Sequence, residues 1–251
     1  MIFRRLFESA PRRRTVTVEP AVPEPPPLAV AGVPVQVRRS PRARRAAIRV
    51  DGAHDRVELV VPERMPMGAA LAFLERHRGW VEARLAAIPD RIPFVHGSEV
   101  PILGIPHRIR HVGARGAPPV RLATGEIQVF GQAPHVPRRV ADFLRTTAQE
   151  ELARRAEALA ASIGRRVGRV TVRDTKSRWG SCAANGNLAF SWRLILAPEP
   201  VLHYVVAHEV AHLVEMNHGP RFWRLVADLA PGSEPHRAWL KRNRNLLLRY
   251  G

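Results

Sequence analysis

Cysteine is nearly absent from this chain. Cys182 is the only one, so no internal disulfide framework exists, and the composition fits a reducing compartment. Long apolar runs are missing too: nothing approaches the roughly 20 residues that a membrane-spanning helix needs. The opening MIFRRLFESAPRRR carries arginines but no apolar core of signal-peptide length, and the expectation is a cytoplasmic protein without a membrane anchor. There is no Gly-rich phosphate loop and no internal repeat. Lysine is scarce as well, with Lys176 and Lys241 the only two among 40 basic residues.

What the chain has instead is arginine. The formal charge is +18, spread over separate groups such as Arg38–Arg45, Arg154–Arg166 and Arg237–Arg249. Such scatter is expected of a solvated basic surface with arginine as its default residue. Attraction of an acidic partner, a nucleotide or a nucleic acid is the alternative. With 45% hydrophobic and 25% charged residues, the 251-residue chain is long enough for one large domain or two modest ones.

Residues 1–30 mix arginine with VEPAVPEPPP and are expected to form a disordered tail. Residues 31–135 then alternate in short segments. VPVQVRR, AAIRVDG and RVELVVP predict three strands, and MGAALAFLERHRGWVEARLAAI predicts one helix. PILGIPHRIRHV and VRLATGEIQVFG predict further strands, the latter turning at Thr124-Gly125. This is a small β-rich domain with one helix. From 136 to 251 the pattern changes. A long helix with the apolar stripe Val140, Phe143, Leu144, Ala148, Leu152, Ala156, Leu159 and Ile163 ends near Gly164. Two strands follow, joined through Asn185-Gly186, and Pro198 opens a helix over about 199–216 before two shorter ones. The fold class expected is α+β.

The chemistry concentrates at His208-Glu209-Val210-Ala211-His212. Histidines at i and i+4 share one helical face, roughly 6 Å apart along the axis, and two imidazoles so placed can reach one tetrahedral zinc. Glu209 lies one step round, where a carboxylate can serve as general base beside a Lewis acid. A catalytic zinc needs a third protein ligand, and two residues compete. Glu215, seven after His208, shares the histidines' face; His218, ten after, has the H-E-x-x-H-x5-H spacing of metzincins and is favoured. The sharp turn that His218 requires is expected at Asn217 and Gly219.

KSRWGSC at 176–182, GNLAFSWRLI at 186–195 and VVAHEVAHLVEMNHGPRFW at 205–223 resemble the YgjP-like, SprT-related zinc metallopeptidases. The resemblance implies a zincin-like catalytic domain of backing helix, short sheet and metal helix. It also implies one zinc per chain on His208, His212 and His218, with Glu209 as the catalytic base. Gly219 stands where the family more often has Ser, at a non-ligand position.

Around this centre, Trp179, Gly180 and Ser181 are candidates to line a substrate cleft, and Lys176 and Arg178 to hold a substrate carboxylate or phosphate. Asp174 and Glu215 are candidate acceptors for a ligand imidazole. Phe222 and Trp223 fit a core beneath the metal helix, and His203 a satisfied surface histidine. The expected activity is hydrolysis of peptide bonds in a peptide or protein substrate. The alternatives are a metal-dependent nucleoside triphosphate phosphohydrolase and a DNA-associated protease; the oligomeric state is open.

Overall fold

A computed structural model describes residues 28–52, 54–114 and 118–251. It is α+β, with three small sheets and six α-helices among the described residues. Of the expected tail, residues 1–27 lie outside the described residues, and Ala29–Val30 is already a strand, β1. The elements β2 (Val33–Ser40), β3 (Ala47–Asp51) and β4 (Arg56–Pro62) complete a sheet in the order β1-β2-β4-β3, with β2 and β4 parallel.

The single helix expected next is two, α1 (Met67–Arg76) and α2 (Arg78–Ala86). The break falls at His77, whose φ of −106° and ψ of 9° lie outside the helical range and whose ring Nδ1 bonds the Phe73 carbonyl at 2.8 Å. A side chain that takes the i−4 carbonyl competes with the helix ladder, an effect invisible to hydrophobic periodicity. Val30, Val57, Leu59, Val61, Ala70, Leu74 and Val81 close a separate small core for this unit.

The hairpin strands β5 (Glu99–Ile102) and β6 (Ile105–His111) join β7 (Val120–Ala123) and β8 (Glu126–Val129) in a sheet ordered β5-β6-β8-β7. The sequence placed these strands with the N-terminal domain, divided from the rest near residue 135. Their inward side chains Val100, Ile109, Ile127 and Val129 instead share one apolar cluster with Val136, Val140 and the residues beyond, so the main core crosses that boundary. Period-two alternation shows that a strand has a buried face, not which element covers it.

The long helix α3 (Val136–Ser162) buries Val136, Val140, Leu144, Ala148, Leu152, Ala156 and Ala160, one residue every four. It ends in a Schellman motif: Gly164, at φ +64°, bonds Ala161 O, and Arg165 N bonds Ala160 O. The third sheet contains three strands where two were expected: β9 (Val170–Arg173), β10 (Gly180–Cys182) and β11 (Leu188–Ser191), in the order β10-β11-β9. Asn185-Gly186 turns β10 into β11, and β9 runs parallel to β11. A 3-10 segment, Trp192–Leu196, leads into α4 (Glu199–Ala211), which is apolar nearly all round and buried accordingly. Two more helices, α5 (Pro220–Leu229) and α6 (Glu234–Leu247), finish the chain. None of the described helices is long and apolar enough to cross a membrane.

The end of the chain reaches back to the N-terminal unit. Buried Arg249 bonds the Asp55 carboxylate and Gly52 O, and Arg91 takes the same carboxylate at 2.7 Å. Leu152 is fully buried midway along α3. Leu152→Ala is expected to cost about 3 kcal/mol in urea unfolding; a loss under 1 kcal/mol would show that α3 is not the central support of this core.

Candidate metal centre

The i, i+4 pair sits where α4 stops. Ala211 is its last residue, short of the expected 216, and His212 follows still in right-handed helical geometry. The chain then tightens. Leu213 N bonds Val210 O and Val214 N bonds Ala211 O in i→i+3 fashion, and Glu215 N closes on Ala211 O. The backbone leaves the helix through these bonds without a left-handed residue. Asn217 is not among the positive-φ residues, and Gly219, at φ −80° and ψ −178°, is the extended N-cap of α5. The chain turns first at 213–215 and again where Gly219 N bonds Asn217 O at 2.7 Å, so the turn expected at 217 and 219 is present without left-handed backbone.

This path brings His218 back. Its Nε2 lies 3.2 Å from His208 Nε2, and one ring nitrogen from each of His208, His212 and His218 falls within a 4.8 Å circle. Glu215 contributes its carbonyl rather than its carboxylate, accepting from His212 Nδ1 at 3.0 Å. A carbonyl only accepts, so Nδ1 carries the proton and Nε2 of His212 is bare. Asp174, the other candidate acceptor, is committed elsewhere, in an ion pair with Arg193.

Phe222, fully buried, forms the floor. It stacks on His212 at 4.5 Å between ring centroids and meets His208 edge-on at 4.9 Å. Trp223 stands beside His208 and His218 at 5.8 and 5.7 Å. Burial, reinforced by the neighbouring His212 and His218, pushes the His208 pKa down to about 4, and burial lowers His212 as well. Neutral imidazole is the ligating form.

The set fits a metal ion. Two tetrahedral ligands at 2.0–2.1 Å from a zinc stand roughly 3.4 Å apart, close to the His208–His218 separation. His208 Nδ1 is buried without a hydrogen-bond partner among the described residues, so the ring makes its polar contact through Nε2, on the side of the cluster.

Glu209 is 6% exposed, and burial lifts its pKa to about 7 against the opposing charge of Arg178. What shapes its place is Gly180 on β10. A Cβ there would lie 2.5 Å from Glu209 Oε1 and 2.6 Å from its Cγ, so only glycine lets this carboxylate sit against the strand. A cleft of about 310 Å³ opens over His208 and Glu209, lined also by Trp179, Gly180, Tyr204 and residues of α6.

A sequence profile of the YgjP-like metallopeptidase domain matches residues 44–243. The chain belongs to the YgjP-like metallopeptidase family. No curated protein and no solved structure matches it significantly. Of the residues proposed to contact substrate, the YgjP-like domain brings Trp179 and Gly180 to the cleft. Ser181 and Arg178 line a separate pocket beside β9 and β11, though the Arg178 charge still acts on Glu209, and Lys176 lines a groove against the N-terminal unit. Cys182 is no part of the histidine cluster. Sequence reading missed Tyr204, one turn before His208, and the α6 wall of Arg237, Leu240, Lys241 and Arg244. Their i, i+4, i+7 spacing was visible, but not the element they face.

Two opposed titrations follow for the metal-free YgjP-like protein. Unfolded Glu209 ionises near 4.5 and folded Glu209 near 7, so its term erodes stability as pH rises through that window. His208 acts the other way, eroding stability as pH falls from about 6.5 to about 4. Glu209→Gln removes only the first term. Between pH 5 and pH 8 the variant is expected to gain on the order of 2 kcal/mol over wild type in urea unfolding. An equal difference at both pH values would contradict the burial assigned to Glu209.

Proposed function

We propose that this protein is a zinc-dependent metallopeptidase in which Glu209 takes the proton of the attacking water. One observation carries the reading: the buried carboxylate of Glu209 lines one open cleft together with His208, a member of a cluster of three imidazoles. An all-nitrogen donor set of three suits zinc with a coordination position left for chemistry. Zinc held by His208, His212 and His218 would supply Lewis acidity, easing ionisation of water and polarising the scissile carbonyl.

The rest is done by the chain. A base is most effective with a pKa near the working pH; in the metal-free protein burial lifts Glu209 to about 7, and a bound cation would draw it back down. It accepts a proton and can pass it to the departing amine. Tyr204, kept protonated by burial, offers a hydroxyl donor in the cleft. Among the described residues strand β10 pairs only with β11, so its other edge can take an extended peptide lying along the cleft. Helix α3, the sheet β10-β11-β9 and α4 support the reading of a zincin-like domain. The lone free Cys182 fits a cytoplasmic setting.

Glu209→Gln is expected to retain its metal by elemental analysis and to lose at least 1,000-fold in kcat on an unfolded protein such as casein. Full proteolysis by that variant would remove Glu209 from the proposed role. Gly180→Ala tests the same carboxylate from the other side. Crowding Glu209 by a methyl group is expected to lower kcat about 100-fold at unchanged metal content; activity within twofold of wild type would show that Gly180 does not set its position.

A further inference from the structure

The wall of the cleft opposite β10 is the helix α6, and it is basic in an organised way. Arg237, Lys241 and Arg244 recur at i, i+4 and i+7, so they form one stripe on the helix, and all three line the cleft that holds His208 and Glu209. Seven residues of helix rise about 10 Å, the length of roughly three residues of extended peptide.

Some surface arginines are neutralised locally, as in Arg38–Glu58 at 2.6 Å, Arg78–Glu75 at 2.9 Å and Arg154–Glu151 at 2.7 Å, and others are not. What sets the stripe apart is its place on the wall of the cleft. Its only acidic neighbour within ion-pair distance among the described residues is Glu234, 4.0 Å from Arg237 and 85% exposed. Among the described residues, the only acid lining the cleft is Glu209. Two of the three cations are also held in place. The Arg237 guanidinium lies over the Trp223 ring, 5.3 Å from its centroid, on the aromatic wall of the histidine cluster, and Arg244 Nη2 donates to the Lys176 carbonyl. A merely solvated basic face has no need of such anchoring, which lowers the ordering cost of binding an anion.

We infer that this stripe is a carboxylate-recognition subsite, and that the cleft selects peptide segments carrying acidic groups beside the bond to be cleaved. This rests on the metallopeptidase reading above for the nature of the substrate. The carboxylates can come from Asp and Glu side chains or from a peptide's C-terminus.

The test uses the full chain, zinc-loaded and carrying Glu209→Gln so that bound peptide survives. An unstructured decapeptide with three aspartates is compared by calorimetry with its asparagine counterpart, each with free and amidated C-termini. The aspartate peptide is expected to bind at least tenfold tighter in 50 mM salt, with the ratio shrinking in 500 mM salt as screening grows. Tenfold weaker binding on amidation alone would assign the subsite to the terminal carboxylate. Adding Lys241→Glu is expected to bring the aspartate-to-asparagine ratio below two. Equal binding of the two peptides, binding of neither, or a preference that survives Lys241→Glu would each overturn the inference. So would displacement of the aspartate peptide by inorganic tripolyphosphate at a hundredfold lower concentration than by free aspartate peptide. Cleavage of both peptides by wild type with equal binding sinks this inference alone; cleavage of neither, with the binding preference intact, sinks the peptidase reading alone.

Discussion

Two imidazole nitrogens facing each other at 3.2 Å, with a third imidazole close by, form an arrangement that protein alone has little reason to build. As neutral rings this pair can share a single N–H···N bond, and burial disfavours the protonated form of His208. A cation between the three rings would instead take a lone pair from each. The rest of the site is arranged around that constraint: the early end of α4, the tightened turn to Glu215, and the aromatic floor of Phe222 and Trp223. The Glu215 carbonyl orients His212 so that its bare nitrogen faces the others.

The same burial that lowers the His208 and His212 pKa values also raises that of Glu209. Ligation needs deprotonated imidazoles, and proton transfer needs a carboxylate that takes a proton near neutral pH. One dry, apolar setting at the end of α4 provides both, since desolvation disfavours the charged form of either group. Its stability cost falls on the metal-free fold, where Glu209 and His208 erode stability from opposite ends of the pH scale.

Much of this was legible in the chain. The spacing of His208, His212 and His218 was enough to bring the three together, because i, i+4 geometry is rigid and a short return path exists. The stripe along α3 and its end at Gly164 were equally plain, since both depend on local rules. What escaped the sequence depended on partners distant in the chain. His77 breaks a helix by a side-chain bond that no apolar pattern encodes. The strands at 99–129 alternate as any half-covered sheet would, and nothing in them says that α3 and not α1 covers their inner face. Gly180 carried no sign that Glu209, 29 residues on, would press against it. Arg237, Lys241 and Arg244 looked like part of a general arginine surplus until α6 was seen to wall the cleft.

X-ray absorption at the zinc edge of the purified, zinc-loaded protein tests the central claim most directly. The account predicts a four-coordinate ion with three imidazole nitrogens and one oxygen donor at about 2.0 Å and no sulfur. A sulfur scatterer near 2.3 Å, which only Cys182 or a methionine could supply, or a first shell with fewer than three imidazoles, would contradict it.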